Sequence, residues 1–277
     1  MIDEGQRIGR GEAVTPTPIT RIRRPASVVA GWGRRYGVQT IGVLLGAGIW
    51  ELAGRAGVSP ALPPISAVMA AGLDVWTGER FLEALRSTAV AIAIGFPPSV
   101  VIGIALGLLM GLFRPVEWAL RSYINLSLSL PLIAVIPIVL FIFGLSQTTV
   151  IVVIVLYVLP VVMVNTYAGV RSTSPDLLEM AASVNAGRWL TIRRIVLPSA
   201  RSLTLAGLRI GVGRAITGAI VAEQILGVMG IGGLVQRLGG AFAVEDLYAV
   251  IIFIGAVGVV SLALVNRIEE RYEIPGA

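Results

Sequence analysis

Any chemistry in this chain must come from arginine, carboxylate, amide and hydroxyl side chains, because its 277 residues include no lysine, histidine or cysteine. A phosphate-cradling Walker loop needs its lysine, Schiff-base catalysis needs another, and zinc or thiol chemistry needs Cys or His. No catalytic residue, resident cofactor or metal site is therefore expected. Two ionised side chains stand out, Arg214 and Glu223, because each lies in or at the end of an apolar run. A charge at the centre of a bilayer costs about 2.5 to 3.5 kcal/mol on insertion scales and turns toward protein or water. Arg214 can attract an anionic solute or satisfy carbonyls or a nearby carboxylate, and the sequence leaves both open. Gly207, Gly211, Arg214 and Gly218 follow helical spacing on one small-residue face. Glu223 and Gln224 precede Gly227, Gly230, Gly232 and Gly233, a pattern suited to a re-entrant turn, an outer gate or a plain loop. Asn165 and Tyr157 complete the candidates for a translocation path, with packing as their alternative role.

The elements that position these residues are membrane spans. The chain is 56% hydrophobic and 14% charged, with mean hydropathy +0.86, too apolar for a soluble globule. Six apolar stretches are expected to be helices, near 38–52, 87–112, 125–143, 148–170, 203–222 and 247–265. Most approach the ~20 residues that cross a bilayer. An all-α, six-span domain over 36–274 follows, since unpaired backbone amides are not tolerated in lipid. Residues 1–35, rich in Pro, Gly, Thr and Arg, read as a flexible cytosolic tail. Gly95-Phe96-Pro97-Pro98, Pro131, Pro137 and Pro160 are expected to interrupt or bend the second, third and fourth spans. The segment 60–86 alternates apolar and charged residues at helical spacing and reads as a helix along the membrane surface.

Arginine placement sets the orientation. With both termini inside, sixteen arginines fall on the cytosolic side and four outside (Arg55, Arg80, Arg86, Arg237), so N-in and C-in is expected. The net charge of +6 is thereby explained by topology, and no nucleic-acid partner is indicated. A gradient-driven transporter or channel is the alternative, although no internal repeat is evident. A membrane-embedded enzyme would need a carboxylate pair in the spans, and none is suggested.

Between the fourth and fifth stretches lies a polar, basic segment inside 171–200. Asp176 can cap a helix, Leu177, Leu178, Ala181, Ala182 and Val184 form an apolar stripe, and Asn185 suits a bend at positive φ. Arg188-Trp189 then anchors a second short helix, which Pro198 is expected to end before the fifth span. In this loop Glu179, Met180, Ala181, Asn185, Ile195, Leu197 and Pro198 match the spacing of a signature that reads Glu-Ala-Ala, three residues, Gly, nine residues, Ile, one residue, Leu-Pro. The chain thus resembles the permease subunits of bacterial ATP-binding cassette importers. Met180 stands where the signature has alanine, and Asn185 where it has glycine.

The resemblance runs from about Gly37 to Glu273 and is nearest the nitrate, sulfonate and taurine subgroup. It extends through Leu62-Pro63-Pro64, Asn165 to Arg171, Gly207-Leu208-Arg209, Gly213-Arg214-Ala215 and Ala222-Glu223. It implies a type I importer permease in the bacterial inner membrane, paired with a second copy or paralogue. It also implies a coupling helix between spans four and five, gripped by two cytosolic ATPase subunits that carry ATP and Mg. An extracytoplasmic binding protein would deliver the solute. Glu179, Met180, Ala181, Asn185, Arg188, Trp189, Ile195, Leu197 and Pro198 are the coupling residues so implied.

Overall fold

The computed structural model describes residues 28–272, and all regular structure among them is helical. In chain order the helices are α1 Val28–Arg55, α2 Ile65–Thr77, α3 Glu79–Leu112, α4 Arg114–Ser129, α5 Ile136–Phe143, α6 Gln147–Arg171, α7 Pro175–Ser183, α8 Arg188–Thr191, α9 Leu197–Leu226, α10 Gly230–Gly240 and α11 Val244–Tyr272. A 3-10 turn, Leu132–Ala134, precedes α5, and a π-helical turn, Ile192–Val196, joins α8 to α9. The chain divides after Ile49 into two units. The described part of the first is the N-terminal portion of α1, and the second holds everything from Trp50 onward. Helix α1 begins at Val28, inside the stretch read as a flexible tail; the remainder of that stretch lies outside the described residues.

Helix α6 is the hub, packed between α3 and α9. Lipid offers helices no hydrophobic drive to associate, so close backbone approach through small residues must supply it. Gly95, Ser99, Gly103, Gly107 and Gly111 recur every fourth residue along α3. A methyl at Gly103 would sit 3.0 Å from Val162 Cβ, and one at Gly107 would sit 2.5 Å from the Met163 carbonyl oxygen. Gly207, Gly211 and Gly218, with buried Ala215, Ala219 and Ala222, line the facing side of α9. Both neighbours are thus grooved to receive the bulky Val, Ile and Tyr side chains of α6.

Among the described residues four helical segments are long and apolar enough to span a membrane: Glu79–Leu112, Gln147–Arg171, Arg188–Leu226 and Val244–Arg267. The prolines do not all act as expected. Pro97 and Pro98 lie inside an unbroken α3, and Pro160 inside an unbroken α6, because close packing between these two helices holds them helical against the lost hydrogen bonds. Ser99, fully buried, donates its hydroxyl to the Gly95 carbonyl at 2.6 Å. Pro131 does break its stretch. It forces Leu130 into extended backbone (φ −73°, ψ 131°), so the third expected span is divided into the end of α4, the 3-10 turn and the eight-residue α5.

The segment expected along the membrane surface is also divided. Gly78 separates α2 from α3, so Phe81, Leu82 and Leu85 belong to the long helix. Trp76 donates from Nε1 to the Ala249 carbonyl at 3.1 Å, and Phe81 meets Phe253 edge-on at 4.9 Å between ring centroids. Protein, in the form of α11, covers the face of α2 that bears Trp76, while Leu73 stays exposed.

Candidate functional site

The polar segment folds as two short helices around a tight turn. Ser174, not Asp176, is the residue before the first helical turn of α7; Pro175 opens the helix and Asp176 lies within that turn. This order is physically natural, because proline tolerates the first helical position where no amide is needed. Asn185 adopts φ 51°, and the amides of Asn185 and Ala186 close the turn onto the carbonyls of Ala182 and Ala181. Of the apolar stripe only Ala181 is buried. Met180 (55%), Val184 (71%) and Trp189 (70%) are exposed, as is Glu179. An apolar surface presented beside a carboxylate and Arg188 is unusual for a loop that nothing among the described residues covers. Between this loop and the ends of α3 and α6 lies a cavity of about 710 Å³ lined by Leu112, Val170, Ala181, Arg188, Trp189 and Val196.

Pro198 does not stop the second helix. The π-helical turn shifts the bonding register, with the Leu197 amide donating to the Ile192 carbonyl five residues back, and α9 starts with Pro198 in its first turn. Arg188 to Leu226 is therefore one helical segment of 39 residues. At about 1.5 Å per residue it runs roughly 58 Å from loop to opposite end. Ile195 and Leu197 sit at this register shift, Ile195 partly buried and Leu197 exposed.

The residues singled out within the spans divide into two groups. Arg214 lies at the edge of the small-residue face of α9 and not within it: Gly207, Gly211 and Gly218 are buried against α6, whereas Arg214 is exposed. It borders a cavity of about 180 Å³ with Ser127, Leu130, Pro131, Tyr157 and Pro160. Asn165 belongs to the packing instead. Its Nδ2 donates to the Val161 carbonyl at 2.8 Å, and a methyl on Gly207 would lie 2.7 Å from its Cβ.

Glu223 is fully buried and faces no cavity lumen. Thr88 of α3 donates its hydroxyl to the Glu223 carboxylate, at 2.8 Å from Oε1 and 2.9 Å from Oε2. The Gly232 amide donates to Oε2 at 3.0 Å, and the Ile231 amide donates to Thr88 Oγ1 at 2.9 Å. Two side chains from two other helices thus cap the N-terminus of α10, where amides are otherwise orphaned and the helix dipole favours a negative charge. Gly230 has φ 68°, and any side chain there would strike the Glu223 carboxylate. Gln224 is partly buried, and its amide nitrogen would lie 2.8 Å from a methyl at Gly232.

With this geometry in place, comparison with known proteins is decisive. Residues 99–274 match the model of the binding-protein-dependent transport system inner membrane component family. The chain belongs to this family. The permease is 32% identical to the formylaminopyrimidine transport permease of Halalkalibacterium halodurans over 223 residues, 80% of this chain and 88% of that protein. It is 30% identical to the taurine transport system permease of Escherichia coli, over 72% of this chain and 75% of that one. In fold it matches a chain of a bacterial alginate ABC transporter solved with an alginate pentasaccharide-bound periplasmic protein (TM-score 0.58, 18% identity, 88% of this chain and 98% of that chain). A methionine ABC transporter in an inward-facing conformation is also similar (TM-score 0.56, 19% identity, 70% and 95%). The permease is a multi-pass inner-membrane subunit of an ATP-binding cassette importer.

Two groups escaped the sequence reading. Thr88 gives no signal in a helix of many small residues, and its partner Glu223 lies 135 positions away. Glu117 of α4 is buried, where the Tyr167 hydroxyl donates to its Oε1 at 2.6 Å and Arg121 makes an ion pair with it. The i to i+4 spacing of Glu117 and Arg121 is the one local hint of this cluster.

Proposed function

We propose that this permease crosses the membrane six times, N-in and C-in, through α1, α3, the broken pair α4 and α5, α6, α9 and α11. It pairs with a second copy or paralogue and admits a small anionic solute. Two cytosolic ATPase subunits, carrying ATP and Mg, grip the loop formed by α7 and α8, and an extracytoplasmic binding protein delivers solute. The arginine asymmetry supports the orientation. A separate ATPase fits the absence of lysine from these 277 residues, which therefore hold no Walker loop. The anionic class is favoured by relatives named for taurine, aliphatic sulfonates, bicarbonate and nitrate.

The observation that carries the coupling role is the continuous helix from Arg188 to Leu226. One end bears exposed Trp189, just after the Asn185 turn that presents Met180 and Val184, and Arg214 lies about two thirds of the way along. A displacement of Trp189 by the ATPase is carried along a helical rod into the span, with no loop between α8 and α9 to absorb it. Glu179, exposed on α7, supplies a charge for the ATPase surface. Replacing it with arginine (Glu179→Arg) is expected to abolish ATPase co-purification and solute uptake together. Retention of both would remove Glu179 and its loop from the coupling role.

A further inference from the structure

We propose that Arg214 and Tyr157, beside the broken backbone after α4, form an anion-binding station at mid-depth of the permease, sized for the head group of a sulfonate, a carboxylate or nitrate. This rests on the permease reading and deepens it by assigning a solute-contact site.

Three independent observations converge on one cavity. The first is charge. Arg214 is exposed near the middle of α9 and makes no hydrogen bond or ion pair among the described residues. A guanidinium at such depth does not face hydrocarbon, so it faces water or an incoming group. The second is backbone. Helix α4 ends at Ser129, and Leu130 and Pro131, both exposed, line the same cavity. Non-helical backbone at membrane depth is stable only where protein buries it or where it borders a water-filled space. The third is an open hydroxyl. Tyr157 borders the cavity and its hydroxyl makes no hydrogen bond among the described residues, while its ring is packed against Gly218.

Depths agree as well. Arg214 is about 18 Å from the Leu226 end of α9, and Tyr157 about 15 Å from the Gln147 end of α6, by helical rise. The cavity, about 180 Å³, holds roughly six water volumes, room for one small oxyanion with part of its hydration. Arginine supplies a planar fork of donors that matches two oxygens of a carboxylate, sulfonate or nitrate, and the tyrosine hydroxyl supplies a third donor. The Leu130 amide is already bonded to the Leu126 carbonyl and Pro131 has none, so the broken backbone offers carbonyl acceptors to water while Arg214 and Tyr157 supply the donors for the anion.

The test uses the purified permease with its ATPase, without binding protein, and follows Tm against methanesulfonate and nitrate. Dimethyl sulfone is the neutral isostere. Wild type is expected to show a saturable rise in Tm with the anions and none with dimethyl sulfone. Arg214→Gln is expected to raise the half-saturating concentration at least about tenfold, Arg214→Lys to raise it by less than Arg214→Gln because the charge is kept and the fork is lost, and Tyr157→Phe to raise it about threefold or more. The proposal is overturned if wild type gives no saturable response, if dimethyl sulfone acts like methanesulfonate, or if Arg214→Gln matches wild type. Should Arg214→Gln fail to assemble, Tyr157→Phe decides, and wild-type behaviour of that variant overturns the proposal. ATPase co-purification, scored for each variant, reports separately on the permease reading.

Discussion

Replacing Thr88 with valine preserves side-chain shape and removes one hydroxyl, and in this fold that hydroxyl joins three helices. It donates to the Glu223 carboxylate of α9 and accepts the Ile231 amide of α10. Thr88→Val therefore deletes two buried hydrogen bonds and leaves an orphaned amide. A buried hydrogen bond to a charged group contributes about 1.5 to 3 kcal/mol in water-soluble proteins, and an unsatisfied buried donor costs about 1 to 3. Interhelical hydrogen bonds in membrane proteins average nearer 0.6 kcal/mol, because the reference state also finds partners. Full burial of Glu223 leaves no water to substitute, so the pair is placed between these limits, at about 2 kcal/mol. At about 1.4 kcal/mol per decade, the N-terminus of α10 should open roughly 30-fold more often. Hydrogen exchange read by mass spectrometry over residues 230–240 measures that opening directly. Thr88→Ser keeps the hydroxyl and should exchange within about threefold of wild type. If Thr88→Val and Thr88→Ser exchange alike, the capping role of Thr88 is refuted.

Gly107→Ala should destabilise the α3 to α6 contact by about 1 to 3 kcal/mol, lowering Tm and yield, because its methyl meets a backbone carbonyl that cannot step aside. Gly213→Ala, with nothing within 4 Å, should be tolerated in the same measurements. Asn185 holds φ 51°, so Asn185→Gly should leave ATPase co-purification intact, whereas Asn185→Ala should cost about 1 kcal/mol in Tm-derived stability. Tyr167→Phe removes the hydroxyl that donates to buried Glu117 and should lower Tm; an unchanged Tm would show that this hydrogen bond contributes nothing to stability.

Much of this protein is legible in local sums along the chain. Hydropathy marked the regions of the four long apolar helices, since crossing a bilayer depends mainly on length and apolarity. The absence of lysine excluded a Walker loop without any coordinates, and the spacing from Glu179 to Pro198 pointed to the family before any fold was seen. The bend at Asn185 was equally local, because only a few residue types accept positive φ cheaply.

Other features are decided by neighbours distant in sequence, and there local rules point the wrong way. Pro97 and Pro98 read as a break, yet packing against α6 keeps α3 whole, while Pro131 breaks its helix as local sterics dictate. Pro198 read as a stop, yet a π-helical turn absorbs it and makes α8 and the span one rod. Glu223 and Arg214 looked alike as charges in apolar sequence. Tertiary structure separates them, enclosing Glu223 with Thr88 and the α10 amides and leaving Arg214 open to a cavity. Sequence alone determined that charges enter the membrane region, because charge is a property of the residue. Only the fold decided which one is satisfied, because satisfaction requires partners brought together from α3, α9 and α10.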